Sequence, residues 1–143
     1  MENQNINILY WIAMVAMVVY FAYIKGWILV NFDSITPTEV SALIESDEDD
    51  NITLLDVRTP LEFAREHIDG AKLIPLNLLK ESLSKLKDSK SKKIVVYCHS
   101  GNRSIRASRV LEANGFTPIN MKGGLIEWKK SGFGVVKVVK RVK

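Results

Sequence analysis

The chain has 143 residues, 47% hydrophobic and 25% charged, with a formal net charge of +4. That apolar content excludes a disordered chain, and the length suits one domain of ordinary size. The single Cys excludes an intramolecular disulfide and a four-Cys zinc framework.

Residues 8–24 contain no charged residue, no Gly and no Pro. Lys25 and Gly26 interrupt the run, and Trp27-Ile28-Leu29-Val30 resumes it. At about 1.5 Å per residue such a stretch spans a bilayer's hydrocarbon core. A buried core helix would carry a polar face, and none is visible. A cleaved signal peptide would carry a basic start and a small-residue cleavage site; the chain opens Met1-Glu2-Asn3-Gln4-Asn5 instead. Residues 1–30 are therefore read as a retained single-pass transmembrane anchor, with Trp11 and Trp27 near its two interfaces. Lys25 flanks the C-terminal end, so the positive-inside bias places the rest of the chain in the cytoplasm. A lone Cys suits that reducing compartment.

The strand and helix signals then alternate. Residues 31–34 read as a linker or the entry to a first strand. Thr36-Pro37-Thr38-Glu39 is a capping box with Pro at the first helical position, opening a helix to about Glu45. An acidic loop follows, and residues 52–57 form a short apolar run read as a buried strand. Thr59-Pro60-Leu61-Glu62 repeats the cap and opens a short helix through Arg65. Residues 72–74 predict another strand. Leu76, Leu79, Leu83 and Leu86 space as one helix face. Residues 94–97 predict a β-branched buried strand, and residues 103–113 a helix capped by Asn114-Gly115. A strand at 117–120 and a short helix at 125–130 complete the pattern. Strand–helix alternation with short apolar strands predicts an α/β fold whose parallel sheet is covered on both faces. Sites in such sheets lie at the carboxyl ends of the strands.

Charge divides the chain. Residues 31–91 hold 7 Lys/Arg against 13 Asp/Glu, a net −6, and residues 92–143 hold 12 against 2, a net +10. The basic half suits an anionic membrane surface or a small anionic substrate. Its cations form no dense block with interleaved aromatics, so nucleic acid is the least favoured partner.

The loop after Tyr97 runs Cys98-His99-Ser100-Gly101-Asn102-Arg103-Ser104. The only Cys sits at the tip of a buried strand, followed by a Gly-containing loop and a helix start. Converging backbone N–H groups and the positive end of the helix dipole favour a thiolate, the nucleophilic form of a cysteine. Arg103 adds a fixed cation, and Arg106 and Arg109 follow it at steps of three. The plainer reading is a buried Cys acting as a small hydrophobe. The strand tip, the Gly and the Arg together favour a reactive one.

The chain resembles a rhodanese-homology domain of the single-domain type. Leu55-Asp56-Val57-Arg58-Thr59-Pro60 with Glu62-Phe63, then His67-Ile68-Asp69-Gly70-Ala71 with Ile74-Pro75, resemble its first signature and continuation. Residues 96–104 resemble its active loop, and Gly115-Phe116, Gly123-Gly124 and Trp128 its closing signature. The match covers nearly all of a domain at residues 35–134, leaving residues 31–34 as linker and 135–143 as a basic tail. The resemblance implies a five-stranded parallel sheet with helices on both faces. It also implies a sulfurtransferase in which Cys98 attacks the outer sulfur of thiosulfate or a persulfide donor and carries a persulfide. The loop amides of His99, Ser100, Gly101, Asn102, Arg103 and Ser104 would cradle the sulfur or the departing anion. Asp56 and Arg58 would support the loop; an Asp–Arg pair serving only as turn and cap is the equal alternative. With no second Cys, the acceptor is external: cyanide, a small thiol or a protein thiol. No metal and no organic cofactor is called for.

Two other functions stay open. One is a membrane-tethered binding or regulatory module on the same fold, which typically lacks the Cys. The other is a Cys-dependent phosphatase or arsenate reductase. Four residues separate Cys98 from Arg103, and related phosphatases place a longer loop there.

Several residues carry plainer readings. Glu66 stands where the family commonly has Gly, which predicts local strain if the position needs positive φ. His99 stands where Arg or Lys is frequent, weakening attraction for thiosulfate. His67 reads as structural, Trp128 as core, and Gly123 and Gly124 as permitting close backbone approach. Arg103 read plainly bonds local acidic groups. The tail extends as an edge strand with lysines or touches anionic lipid head groups.

Overall fold

The structure is a computed structural model that describes residues 2–24 and 31–138. It divides into two units, Met1–Val30 and Asn31–Lys143. The expectations for Lys25 and Trp27, and for the tail beyond residue 138, lie outside the described residues.

In the first unit α1 (Glu2–Ile24) is one uninterrupted helix. Its stretch Asn5–Ile24 has a mean hydropathy of 1.9 and none of it is buried. Those 20 residues reach about 30 Å, the thickness of a hydrocarbon core. Ile8, Leu9, Tyr10 and Trp11 are all exposed, so one full turn is apolar all round.

In the second unit the elements run β1 (Asp33–Ile35), α2 (Pro37–Glu45), β2 (Ile52–Asp56), α3 (Pro60–Arg65), β3 (Lys72–Leu73), α4 (Leu76–Leu79), a 3-10 helix (Lys80–Ser89), β4 (Lys93–Tyr97), α5 (Asn102–Ala113), β5 (Thr117–Met121) and α6 (Gly124–Lys130). The five strands form one sheet in the order β1-β5-β4-β2-β3. Every pairing is parallel. The two most apolar strands, β2 and β4, lie side by side with Leu54 opposite Val95 and Asp56 opposite Tyr97.

Strand alternation assigns the core. Leu55 and Val57, with Ile94, Val96 and Cys98, point to one face and pack with Leu79, Leu86, Ala107 and Leu111. Leu54, Val95 and Tyr97 point to the other and pack with Val40, Leu125 and Trp128. Cys98 therefore belongs to the face covered by α5.

Local signals explain the helix starts. At Thr36 and Thr59 the side chain accepts from the backbone of Glu39 and Glu62, and each Glu bonds back to the cap. At the end of α5, Gly115 N donates to Glu112 O and Phe116 N to Leu111 O, a Schellman pattern.

The expected single helix over Leu76 to Leu86 is corrected: four residues are α-helical and the rest is 3-10. Leu83 and Leu86 are three apart, which three residues per turn stacks on one side. Leu79 and Leu86 are fully buried, and Leu76 and Leu83 pack against the same cluster. The buried set is thus the one that helical spacing predicts. Ser89 at the end of the segment bonds Thr53 across 2.8 Å.

After α6 the chain folds back. Phe133 and Val135 pack against the second cluster. Val136 exchanges backbone hydrogen bonds with His67, and Val138 N donates to Ala64 O.

Candidate active site

β4 delivers Cys98 to the carboxyl end of the sheet, with a side chain 1% exposed. Gly101 N–H donates to Cys98 Sγ at 3.1 Å. Ser104 Oγ lies 3.7 Å from the same sulfur and donates to Gly101 O at 3.0 Å. The thiol is thus held between the loop backbone and the first turn of α5. Of the six loop residues, Gly101 and Ser104 bond the sulfur. His99, Ser100 and Asn102 are exposed on the rim.

α6 clamps the loop from behind. Leu125 N donates to Cys98 O at 2.8 Å and Ile126 N to His99 O at 3.1 Å. A Cβ at Gly124 would lie 2.5 Å from Cys98 O and 2.6 Å from His99 C. Only glycine allows that approach, as the reading of Gly123-Gly124 expects.

Two ion pairs flank the loop. Asp56 and Arg58 are 0% and 2% exposed. Arg58 donates from its backbone N, Nε and Nη2 to the Asp56 carboxylate, at 2.6 to 3.0 Å. The same Nη2 donates to Glu66 O at 2.7 Å. Burial works against the Arg58 charge, but the Asp56 hydrogen bonds and charge outweigh it and raise its pKa. The pair therefore ties the turn after β2 to the segment after α3.

Tyr97 lies beneath it, with the guanidinium carbon 5.8 Å from its ring centroid. Its hydroxyl accepts from Ile68 N at 3.1 Å. Burial first, then the Asp56 charge, pushes that phenol well above its usual range.

The second pair is Arg103 and Glu62, joined by two hydrogen bonds of 2.8 and 2.7 Å. Glu62 also accepts from Thr59 N and Thr59 Oγ1, both at 2.9 Å. The Arg103 hydrogen bond is the main reason the Glu62 carboxyl sits well below the usual carboxylate range. Reciprocally, Glu62 raises the pKa of Arg103. Glu62 is legible in sequence as a cap, but its grip on the loop arginine is not.

Glu66 does not carry the expected strain. Its φ is −166°, ordinary extended backbone, and its side chain pairs with Lys129. His67 Nδ1 meets Phe63 O at 2.8 Å, and its ring stacks on Phe63 with centroids 3.7 Å apart. A carbonyl only accepts, so that nitrogen carries the proton. Trp128 is 6% exposed and donates from Nε1 to Gly134 O.

Known proteins show the family of the fold that holds this loop. The family model of the rhodanese-like domain matches residues 36–131. A sulfurtransferase of Allochromatium vinosum is 34% identical over 88 residues, covering 61% of this chain and 80% of that protein. The thiosulfate sulfurtransferase PspE of Escherichia coli K12 is 37% identical over 71 residues, 50% of this chain and 68% of its own. The crystal structure of a rhodanese-related protein from Thermoplasma volcanium is 31% identical with a TM-score of 0.66, covering 73% of this chain and 98% of that one. The chain spans half or less of the length of several other curated relatives that it matches.

Proposed function

Because the chain belongs to the rhodanese-like domain family, we propose that it is a membrane-anchored sulfurtransferase that carries sulfane sulfur on Cys98. The observation that carries this reading is the Gly101 N–H aimed at the Cys98 sulfur from 3.1 Å. A preformed donor at that point stabilises negative charge on sulfur without reorganisation. Ser104 supports the same role, since its hydroxyl can turn from Gly101 O toward an anionic sulfur.

In the first half-reaction the Cys98 thiolate attacks the outer sulfur of thiosulfate. The sulfur–sulfur bond of the donor breaks, sulfite leaves with the electron pair, and Cys98 holds a persulfide. A persulfide donor loads the same sulfur and releases its thiolate. In the second half-reaction an external acceptor takes the outer sulfur, because the chain has no second Cys to do so. Cyanide, a small thiol or a protein thiol fits that step. Asp56 and Arg58 hold the loop's neighbouring turn, and Arg103 is held in place by Glu62. The sulfurtransferase names of the Allochromatium and Escherichia relatives support this chemistry.

The proposed domain boundaries are a 1–30 anchor, a 31–34 linker whose last two residues already enter β1, a 35–134 catalytic domain and a 135–143 basic tail whose first residues fold back onto it. The apolar α1 supports the anchor, and Lys25 on its C-terminal flank supports a cytoplasmic domain.

The test is intact mass of the full chain in detergent after exposure to thiosulfate or to a persulfide donor, beside a Cys98→Ser control. The expected result is a gain of one sulfur atom, absent in the control and reversed by cyanide or a thiol. No gain with either donor overturns the sulfur-carrier reading and leaves a binding module.

A further inference from the structure

A cleft of about 390 Å³ opens beside the Cys98 loop, with Arg58, Arg103, Arg106, Val57, Leu76 and Val110 in its wall. None of its described lining is acidic. Two of the three arginines are already matched, Arg58 by Asp56 and Arg103 by Glu62. Arg106 lies on α5 three residues beyond Arg103, is exposed, and has no salt bridge among the described residues. Its positive charge is therefore the uncompensated one in the cleft.

The cleft adjoins the end of the Cys98 loop at Arg103. Val57 belongs to the same apolar cluster as Cys98, and Leu76 and Val110 pack against that cluster. Arg103 both ends the Cys98 loop and lines the cleft. An occupant would thus find an unmatched cation and short aliphatic walls at the end of the loop that holds Cys98.

We propose that this cleft seats the sulfur acceptor, and that the acceptor is a small thiol bearing a carboxylate. The carboxylate rests on Arg106 and the short aliphatic segment on Leu76 and Val110. The proposal rests on Cys98 being the sulfur carrier. In the step it serves, the acceptor thiolate attacks the outer sulfur of the Cys98 perthiol. The new sulfur–sulfur bond forms on the acceptor, the old one breaks, and its electron pair returns to Cys98 as thiolate. The acceptor leaves as a perthiol, and no outside oxidant or reductant enters. A cationic thiol would meet repulsion from Arg106 in place of attraction.

The test compares 3-mercaptopropionate and cysteamine, small thiols of similar length and opposite charge. The full chain in detergent is first loaded with sulfur, and loading is confirmed by mass. The discharge rate with each thiol then gives an anion-to-cation preference. Arg106→Gln is expected to lower that preference about five-fold, and Arg106→Glu beyond about ten-fold, the scale of one exposed charge attracting one thiol and repelling the other. Lys93→Gln, at the opposite end of β4, controls for the general field and is expected to shift it less than about two-fold. Arg106 variants that shift the preference no more than Lys93→Gln overturn the cleft assignment alone. A chain that never loads sulfur overturns the carrier reading, and the acceptor proposal falls with it.

Discussion

Glu62 does two jobs with one carboxylate. It closes the cap of α3 through Thr59 and holds Arg103 at the end of the Cys98 loop. Its folded pKa is depressed, chiefly by the Arg103 hydrogen bond. A depressed carboxyl contributes stability that is complete above the ordinary value of 4.5 and is lost as pH falls toward the folded value. Acidification from about pH 5 to about pH 3 should therefore cost the wild type more stability than Glu62→Gln. The two partners are about a third exposed, so the difference is expected to be about 1 kcal/mol. Urea midpoints of both proteins at the two pH values measure it, and equal losses would remove the ion pair from the account. The same residue marks a limit of the sequence reading. Thr59 and Glu62 are three apart, so their contact is local and legible. Arg103 is 41 residues from Glu62, and only the fold brings them together. Glu66 shows the converse, because the feared positive φ depended on a turn the chain does not make there.

The elements were legible where a short-range rule determines them. Both capping boxes and the α5 terminus follow from residues within one turn. The alternation of Ile94, Val96 and Cys98 against Val95 and Tyr97 assigns the faces of β4 without tertiary knowledge. The 3-10 segment was not legible, because leucines three and four apart satisfy an α-helix and a 3-10 helix about equally. The docking of α6 on the loop is the elemental contact with the sharpest consequence. Gly124 has φ +60° and would place a Cβ 2.5 Å from Cys98 O. Gly124→Ala must therefore move α6 or the loop, at a cost of about 2–4 kcal/mol. Gly70 supplies the contrast, with φ +77° and nothing within 4 Å of a built Cβ. Gly70→Ala should cost only the backbone penalty, about 1 kcal/mol. Urea midpoints at unchanged slope compare the two variants. Sulfur loading on Cys98 should fall in the Gly124 variant and persist in the Gly70 variant. Equal costs would mean that the close approach of α6 does not hold the loop.

At the scale of the whole molecule the two units present different surfaces to different solvents. α1 is apolar over 20 residues with none of it buried, whereas the second unit buries two apolar clusters on the two faces of its sheet. Water penalises the first arrangement and favours the second, which supports the proposed bilayer around α1. A helix of this kind near an N-terminus also passes as a signal sequence, and mass of the mature chain separates the two, since an anchor is retained. Orientation then decides which donors and acceptors reach Cys98. The single Cys makes the measurement clean: in a Cys98→Ser background, Asp69→Cys adds one thiol at an exposed position of the second unit. If Lys25 holds the domain in the cytoplasm, a membrane-impermeant maleimide should leave intact cells unlabelled and label the chain after lysis. Labelling of intact cells would place the domain outside. A thiol acceptor would then have to be available in an oxidising compartment, where free small thiols are scarce.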